Sequence, residues 1–124
     1  MTVHKLTADG AATPVCGRCA VAATFMTRLR GLLGRSELAA DEGLLIRPAS
    51  SVHMFFMRFA IDVVFLDGEG VVVKIVPRLR PWRLAWGRGA TATLELRAGA
   101  ASAAGLAHGD RVRFGGPDVT AVAA

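Results

Sequence analysis

Two runs of β-branched and large apolar residues, 61–66 and 71–76, flank the tetrapeptide Asp67-Gly68-Glu69-Gly70. This pattern constrains the chain more than any other. β-branched residues favour extended backbone, and Asp-Gly at the junction supplies a tight reversal, so the segment predicts a β-hairpin. Val63 and Phe65 alternate with Val64 and Leu66, which makes both faces of the first strand apolar and predicts an interior strand covered on both sides. Asp62 interrupts that apolar run. A carboxylate there must be hydrogen-bonded or paired, because leaving a buried polar group unsatisfied costs about 1–3 kcal/mol or more.

The rest of the chain reads as short elements around this hairpin. Residues 3–7 predict a strand and residues 8–14 a loop, from Gly10, Pro14 and their small neighbours. Further strands are expected over 18–23, 44–47, 51–56, 91–97 and 111–114. Phe25, Leu29, Leu32 and Leu33 recur at helical spacing behind Thr24, a capping residue, and before Gly34, a stop. A second short helix is expected within the Ala-rich stretch 99–107. Residues 78–89, bounded and broken by Pro77, Pro81, Gly87 and Gly89, predict an irregular loop. The expectation is an α+β, β-rich single domain over 1–124 with about seven short, mostly antiparallel strands and two short helices. A strand and loop occupy residues 1–17, and a frayed tail is expected over 115–124.

Composition narrows function mainly by exclusion. The chain has 124 residues, enough to bury roughly two-thirds of its unfolded surface, and is 52% apolar. No apolar run approaches the roughly 20 residues needed to cross a bilayer, so no membrane partner is expected. The opening Met1-Thr2-Val3-His4-Lys5 lacks the layout of a secretory signal, which predicts a cytoplasmic protein. The net charge is +5, but 13 of the 15 cations are Arg, as a GC-rich genome would place on any solvated face. Nucleic acid is therefore not the expected partner. The chain contains no Asn, Gln or Tyr, three His, two Cys and ten carboxylates, so acid–base chemistry would fall to a carboxylate, a His or a Cys.

Several blocks then occur in order: Arg30-Gly-Leu-Leu-Gly-Arg35, Gly43-Leu-Leu-Ile46, Val52-His-Met-Phe-Phe-Met-Arg-Phe-Ala-Ile-Asp62 continuing to Asp67, Leu94-Glu-Leu-Arg-Ala-Gly99 and Leu106-Ala-His-Gly-Asp110. Together they resemble the domain of unknown function 192 family, over roughly residues 18–114. The resemblance implies a compact α+β domain dominated by antiparallel strands and carries no assigned activity. Phe56-Met57-Arg58 stands where a common form of the family has Trp-Met-Lys, and Ala60 where it has Pro. Arg58 cannot readily deprotonate, so a lysine-specific chemistry would not transfer.

Four constellations could carry function. His53, Arg58 and Asp62, with Glu95 from the Leu-Glu-Leu segment, could form a polar site in an apolar pocket lined by Phe55, Met57 and Phe59. The competing reading has Asp62 accepting backbone N–H groups at a bend or pairing with Arg58. Cys16-Gly-Arg-Cys19 could be redox-active or half a zinc site, against incidental thiols; no further Cys pair completes a metal site, and neither metal nor cofactor is expected. His53, Met54 and Met57 suit Cu(I) by softness but fit core filling better. Arg78, Arg80, Trp82, Arg83, Trp86 and Arg88 could grip a nucleic acid or a protein, or the Trp rings could staple a surface loop to the core. The leading expectation is a small binding module for a small molecule or peptide, using His53, Asp62 and Glu95. The alternatives are an acid–base, hydrolase-like enzyme on the same residues, or an interaction domain whose protein partner meets the Trp82/Trp86 loop.

Overall fold

The computed structural model describes residues 1–7, 11–22, 37–55 and 57–115. Among them lie ten strands: β1 (Thr2–Leu6), β2 (Ala12–Cys16), β3 (Arg18–Ala22), β4 (Glu42–Ile46), β5 (Ser51–His53), β6 (Ile61–Leu66), β7 (Val72–Leu79), β8 (Leu84–Trp86), β9 (Ala92–Arg97) and β10 (Arg111–Gly115). One short helix, α1 (Ala100–Ala103), falls inside the Ala-rich stretch. The helix expected over 24–34 and the tail after 115 lie outside the described residues.

The central hairpin forms as its sequence dictates. In the turn, the Asp67 carboxylate accepts the N–H groups of Glu69 (2.8 Å) and Val71 (3.0 Å). Those bonds hold its pKa below the usual carboxylate range. All six residues of β6 are buried, and β6 is interior to a five-stranded sheet of order β3-β4-β9-β6-β7. Within that sheet β3 and β4 run parallel, while the other neighbours are antiparallel. A second sheet has the order β10-β1-β2, and β5 and β8 form a separate two-stranded ribbon.

The strand count exceeds the expected seven because β2 falls in the expected loop over 8–14 and β8 in the one expected over 78–89, and turn-forming residues are accommodated on sheet edges. Pro14 lies in β2 rather than in a loop over 8–14; β2 is an edge strand, so the missing Pro N–H costs no ladder bond. Pro77 likewise does not end β7. Ile61 pairs with Leu79 and Val63 with Val76, so three steps along β7 match two along β6. The extra residue is a β-bulge on an edge strand, where Pro is tolerated. In the other direction, β5 stops at His53, because Met54–Met57 closes a turn with a 3.2 Å backbone hydrogen bond. Strand alternation, which would put Phe55, Met57 and Phe59 together as a pocket lining, therefore ends before it reaches them.

The five-stranded sheet is covered on both faces. One face packs Cys19, Leu45, Val64, Leu94 and Leu96 against Val3, Val15 and Val112 of the second sheet and Ala101 of α1. The other packs Leu44, Ile46, Ile61, Val63 and Phe65 against Val52, Met54, Met57 and Ala85 of the ribbon and its turn. Large apolar side chains on both faces make this sheet the middle layer, and hydrophobic burial on both sides the main stabilising term.

Candidate functional site

Asp62 faces the helix layer. Its partner in register is Leu96, and it is 1% exposed. Its Oδ1 accepts the Arg78 N–H at 2.9 Å, while Oδ2 accepts those of Gly99 and Ala101, both at 3.0 Å. Arg78 belongs to the two-residue side of the β7 bulge and has φ 50°, a strained left-handed conformation for a non-glycine residue. One carboxylate thus ties down the bulge and the start of α1. Arg58 is exposed on the surface and makes no ion pair with Asp62.

Glu95 is fully buried, but it points the other way. It lies in register with Val63 and Leu44, both on the ribbon side of the sheet. The face of β9 that carries Thr93 and Glu95 has polar side chains, yet it is covered because β9 runs between β4 and β6 beneath the ribbon. Adjacent residues of a strand point to opposite faces, so the pairing registers put Asp62 and Glu95 on different sides of the sheet. His53 is half-buried on β5, where its Nδ1 accepts the Phe55 N–H at 3.4 Å. The structure therefore does not gather Asp62, Glu95 and His53 around one point. Met57 is buried in the core, Phe59 is half-buried and Phe55 is on the surface. Met54 is 0% exposed, as core filling requires. Among the described residues no cluster of three or more His, Cys, Asp or Glu side chains could hold a metal.

Cys16 and Cys19 are reduced and buried. The Cys16 thiol donates to the Asp41 carbonyl at 3.3 Å. A hydrogen bond with Cys19 pulls the Cys16 pKa below its ordinary value, whereas that same bond and burial push the Cys19 thiol up.

What the fold does concentrate is large apolar surface on the ribbon. Val52 and Ala85 point inward onto the core, so alternation turns Ser51, His53, Leu84 and Trp86 outward. Trp86 is 65% exposed, Trp82 59%, Leu84 58% and Phe55 37%. The rings of His53 and Phe55 are 4.7 Å apart, and those of Phe55 and Trp82 5.7 Å, both pairs tilted. Trp82 sits in a turn closed by the Arg83 N–H to the Arg80 carbonyl at 3.3 Å. Its φ is 66°, at a turn position that usually takes Gly, which costs a bulky residue roughly 1–2 kcal/mol. Lys74 donates to the Trp86 carbonyl at 2.9 Å and rests 5.6 Å from the centre of its ring. Residues 71–94 contain no Asp or Glu, and Lys74, Arg78, Arg80, Arg83 and Arg88 are all exposed.

Two consequences distinguish this surface from the sequence expectation. The tryptophans do not staple a loop to the core; the ribbon is anchored from beneath by Val52, Ala85 and Gly87. A Cβ on Gly87 would lie 2.4 Å from Phe65 Cγ. Leu84 was missed, and Phe55, expected to line a pocket, lies instead on this surface. Two signals could have found it: Pro81 at the second position of a turn forces Trp82 into the third, and the stretch 71–94 has no acid.

Fold and surface together define a β-rich domain built on a mixed sheet, with an aromatic, cationic face on its outermost ribbon. Residues 4–114 match the domain of unknown function 192 family, described as an uncharacterized ACR, and the chain belongs to that family. A UPF0127 protein of Thermococcus sibiricus is 41% identical over 71 residues, which make up 54% of this chain and 46% of that protein. A UPF0127 protein of Pyrococcus abyssi is 38% identical over 71 residues, 55% of this chain and 60% of that one. The chain thus spans between about half and two-thirds of the length of these relatives. Among solved structures, a Sinorhizobium meliloti protein provisionally labelled a transcription regulator superposes with a TM-score of 0.75 at 24% identity, covering 90% of each chain. A protein of unknown function from Novosphingobium aromaticivorans gives 0.71 at 24% identity, covering 92% of this chain and 84% of that one. At that identity the likeness is one of fold. The family is functionally uncharacterised, and no helix among the described residues is long and apolar enough to cross a membrane.

Proposed function

We propose that this chain is a protein-binding module whose β5–β8 ribbon docks an acidic, apolar segment of a partner protein. The observation that carries the reading is Trp82, 59% exposed in a backbone conformation that folding alone would give to glycine. Strain of this kind persists where a side chain is used for something other than stability. The four exposed side chains present on the order of 400–500 Å² of apolar surface, taking about 150–250 Å² for each large side chain. That matches the largest patch on a typical monomer, which is often functional, and is about half of one partner's share of a standard interface. Tryptophan and arginine are also the residues that most often anchor protein interfaces.

Charge and ring geometry select the partner. Lys74 against Trp86, with Arg80 and Arg83 in the turn that carries Trp82, favours an acidic rim, and a second copy of this chain, with its net +5, would bring like charges together. A single-stranded nucleic acid needs open ring faces for stacking. Here Lys74 lies over Trp86, and Phe55 and Trp82 are tilted against each other, so these ring faces are already partly covered.

Trp82 and Trp86 are the two tryptophans of the chain, so intrinsic fluorescence reports on this surface. A peptide of alternating Glu and Leu should shift the emission to the blue and bind more weakly as salt rises. The same peptide, labelled with fluorescein, should lose affinity for Trp86→Ala. Silence toward the peptide, with a shift produced by oligo-dT or by phosphatidylserine vesicles, would replace the protein partner with a nucleic acid or a lipid surface.

A further inference from the structure

We propose that Cys16 and Cys19 form a peroxide-oxidisable dithiol, which closes to a disulfide at the junction of the two larger sheets. Cys16 is the last residue of β2, in the three-stranded sheet, and Cys19 lies in β3, in the five-stranded sheet. Gly17 makes the bend between them. Both side chains turn into the same core, and each sulfur is within hydrogen-bonding range of the other. The neighbouring strand leaves room for this pair: a Cβ on Gly43 would lie 2.8 Å from the Cys16 sulfur and 3.1 Å from Leu96 Cδ2. No substituent larger than hydrogen fits there while the thiol keeps its place.

The two thiols are not equivalent. The bond with Cys19 favours the thiolate at Cys16, and burial disfavours it at Cys19. Cys16 is therefore the attacking sulfur and Cys19 the resolving one. Burial decides the oxidant. With exposures of 3% and 1%, neither sulfur can be reached by a tripeptide disulfide such as oxidised glutathione. Hydrogen peroxide is close to water in size. A cavity of about 350 Å³ lined by Met1, Gly17, Arg18, Cys19, Glu42 and Gly43 reaches Cys19 directly, and the Cys16 sulfur lies against Gly43 in its wall. At about 30 Å³ for each water-sized molecule, it has ample room for peroxide.

The chemistry closes without another reactant. The Cys16 thiolate attacks one peroxide oxygen, the O–O bond breaks, and the departing hydroxide takes a proton from solvent to become water. Cys16 is now a sulfenic acid. The Cys19 sulfur then attacks the Cys16 sulfur and the S–O bond breaks. The leaving hydroxide accepts the Cys19 thiol proton, giving a second water. Two thiols have lost two electrons and two protons, and peroxide has become two waters.

The test is peroxide treatment of the folded chain, quenching with catalase, alkylation in denaturant and intact-mass measurement. The expected product is lighter by two hydrogens, carries no alkyl group, and returns to the starting mass with dithiothreitol. Cys19→Ser, once circular dichroism shows it folded, should stop at a sulfenic acid that dimedone traps, and Cys16→Ser should react at least tenfold more slowly. The proposal is overturned if the folded wild type keeps two alkylatable thiols under conditions that oxidise the urea-unfolded chain. It is equally overturned if both sulfurs gain oxygen without loss of two hydrogens, or if Cys16→Ser reacts as fast as wild type.

Discussion

The middle sheet and the β5–β8 ribbon treat their exceptional residues in opposite ways. In the sheet a charged side chain is hidden, and three backbone donors compensate the burial of Asp62. In the ribbon large apolar side chains are displayed, and Trp82 holds its place against a backbone preference. The first arrangement contributes to the fold; the second costs it stability. Polar residues inside such a domain therefore need not mark its site. Here Asp62, the residue that looked most like chemistry, ties backbone segments together, and Trp82 and Trp86, which looked like packing, lie on the surface.

That contrast is open to attack by substitution, beginning with its interior half. Asp62→Ala leaves three buried or half-buried N–H groups without an acceptor and frees the strained bulge at Arg78. The expected loss is at least about 3 kcal/mol, seen as a fall of roughly 10 °C or more in thermal melting. A melting point within two or three degrees of wild type would mean that water or a shifted backbone replaces the carboxylate, and the interior half of the comparison would fail.

The junction between the regions comes next. Gly87→Ala drives a methyl group to 2.4 Å from Phe65 Cγ and 2.6 Å from its Cβ. It should cost about 1–3 kcal/mol by overpacking and loosen the ribbon from the sheet. Hydrogen exchange should accelerate in β5 and β8 before it does in β6. Uniform acceleration throughout the chain would show that ribbon and sheet unfold as one unit.

The smallest expected effect belongs to the ribbon itself. Trp82→Gly relieves the left-handed strain, while glycine adds about 0.5–1 kcal/mol of unfolded-state entropy. Stability should therefore stay within about 1 kcal/mol of wild type. Binding of the Glu-Leu peptide should nevertheless be lost. A drop in melting comparable to that of Asp62→Ala would make Trp82 a structural residue after all.

Much of the fold was legible because period and punctuation agree. The 61–76 hairpin, with Asp67 fixing its turn, needed only β-branched runs and Asp-Gly. The turn before β10 follows the same Gly-Asp chemistry: Asp110 accepts the Ala107 N–H at 2.8 Å and so ties down its own chain reversal. Asp62 could be recognised as an anomaly, and one of the two explanations offered for it, backbone N–H groups at a bend, describes its surroundings. Layering could not be read. Whether Pro14 and Pro77 end strands or sit on edges depends on which strands lie beside them, and that is a long-range fact. The same limit governs Glu95, whose face looks polar in β9 alone and becomes interior only once the ribbon covers it. Ring exposure was hidden for the converse reason: Trp82 and Trp86 are chemically suited to a core, and only the inward turn of Val52 and Ala85 leaves them outside.

The three donors to Asp62 lie 16, 37 and 39 residues further along the chain. A contact of that span closes large loops, so it forms only after β6, β7 and the segment leading into α1 have met. The carboxylate then acts as a late latch on an assembly already in place. Its removal should appear chiefly as faster escape from the native state, with the rate of arrival little altered, so that the unfolding arm of a chevron rises while the folding arm stays where it was.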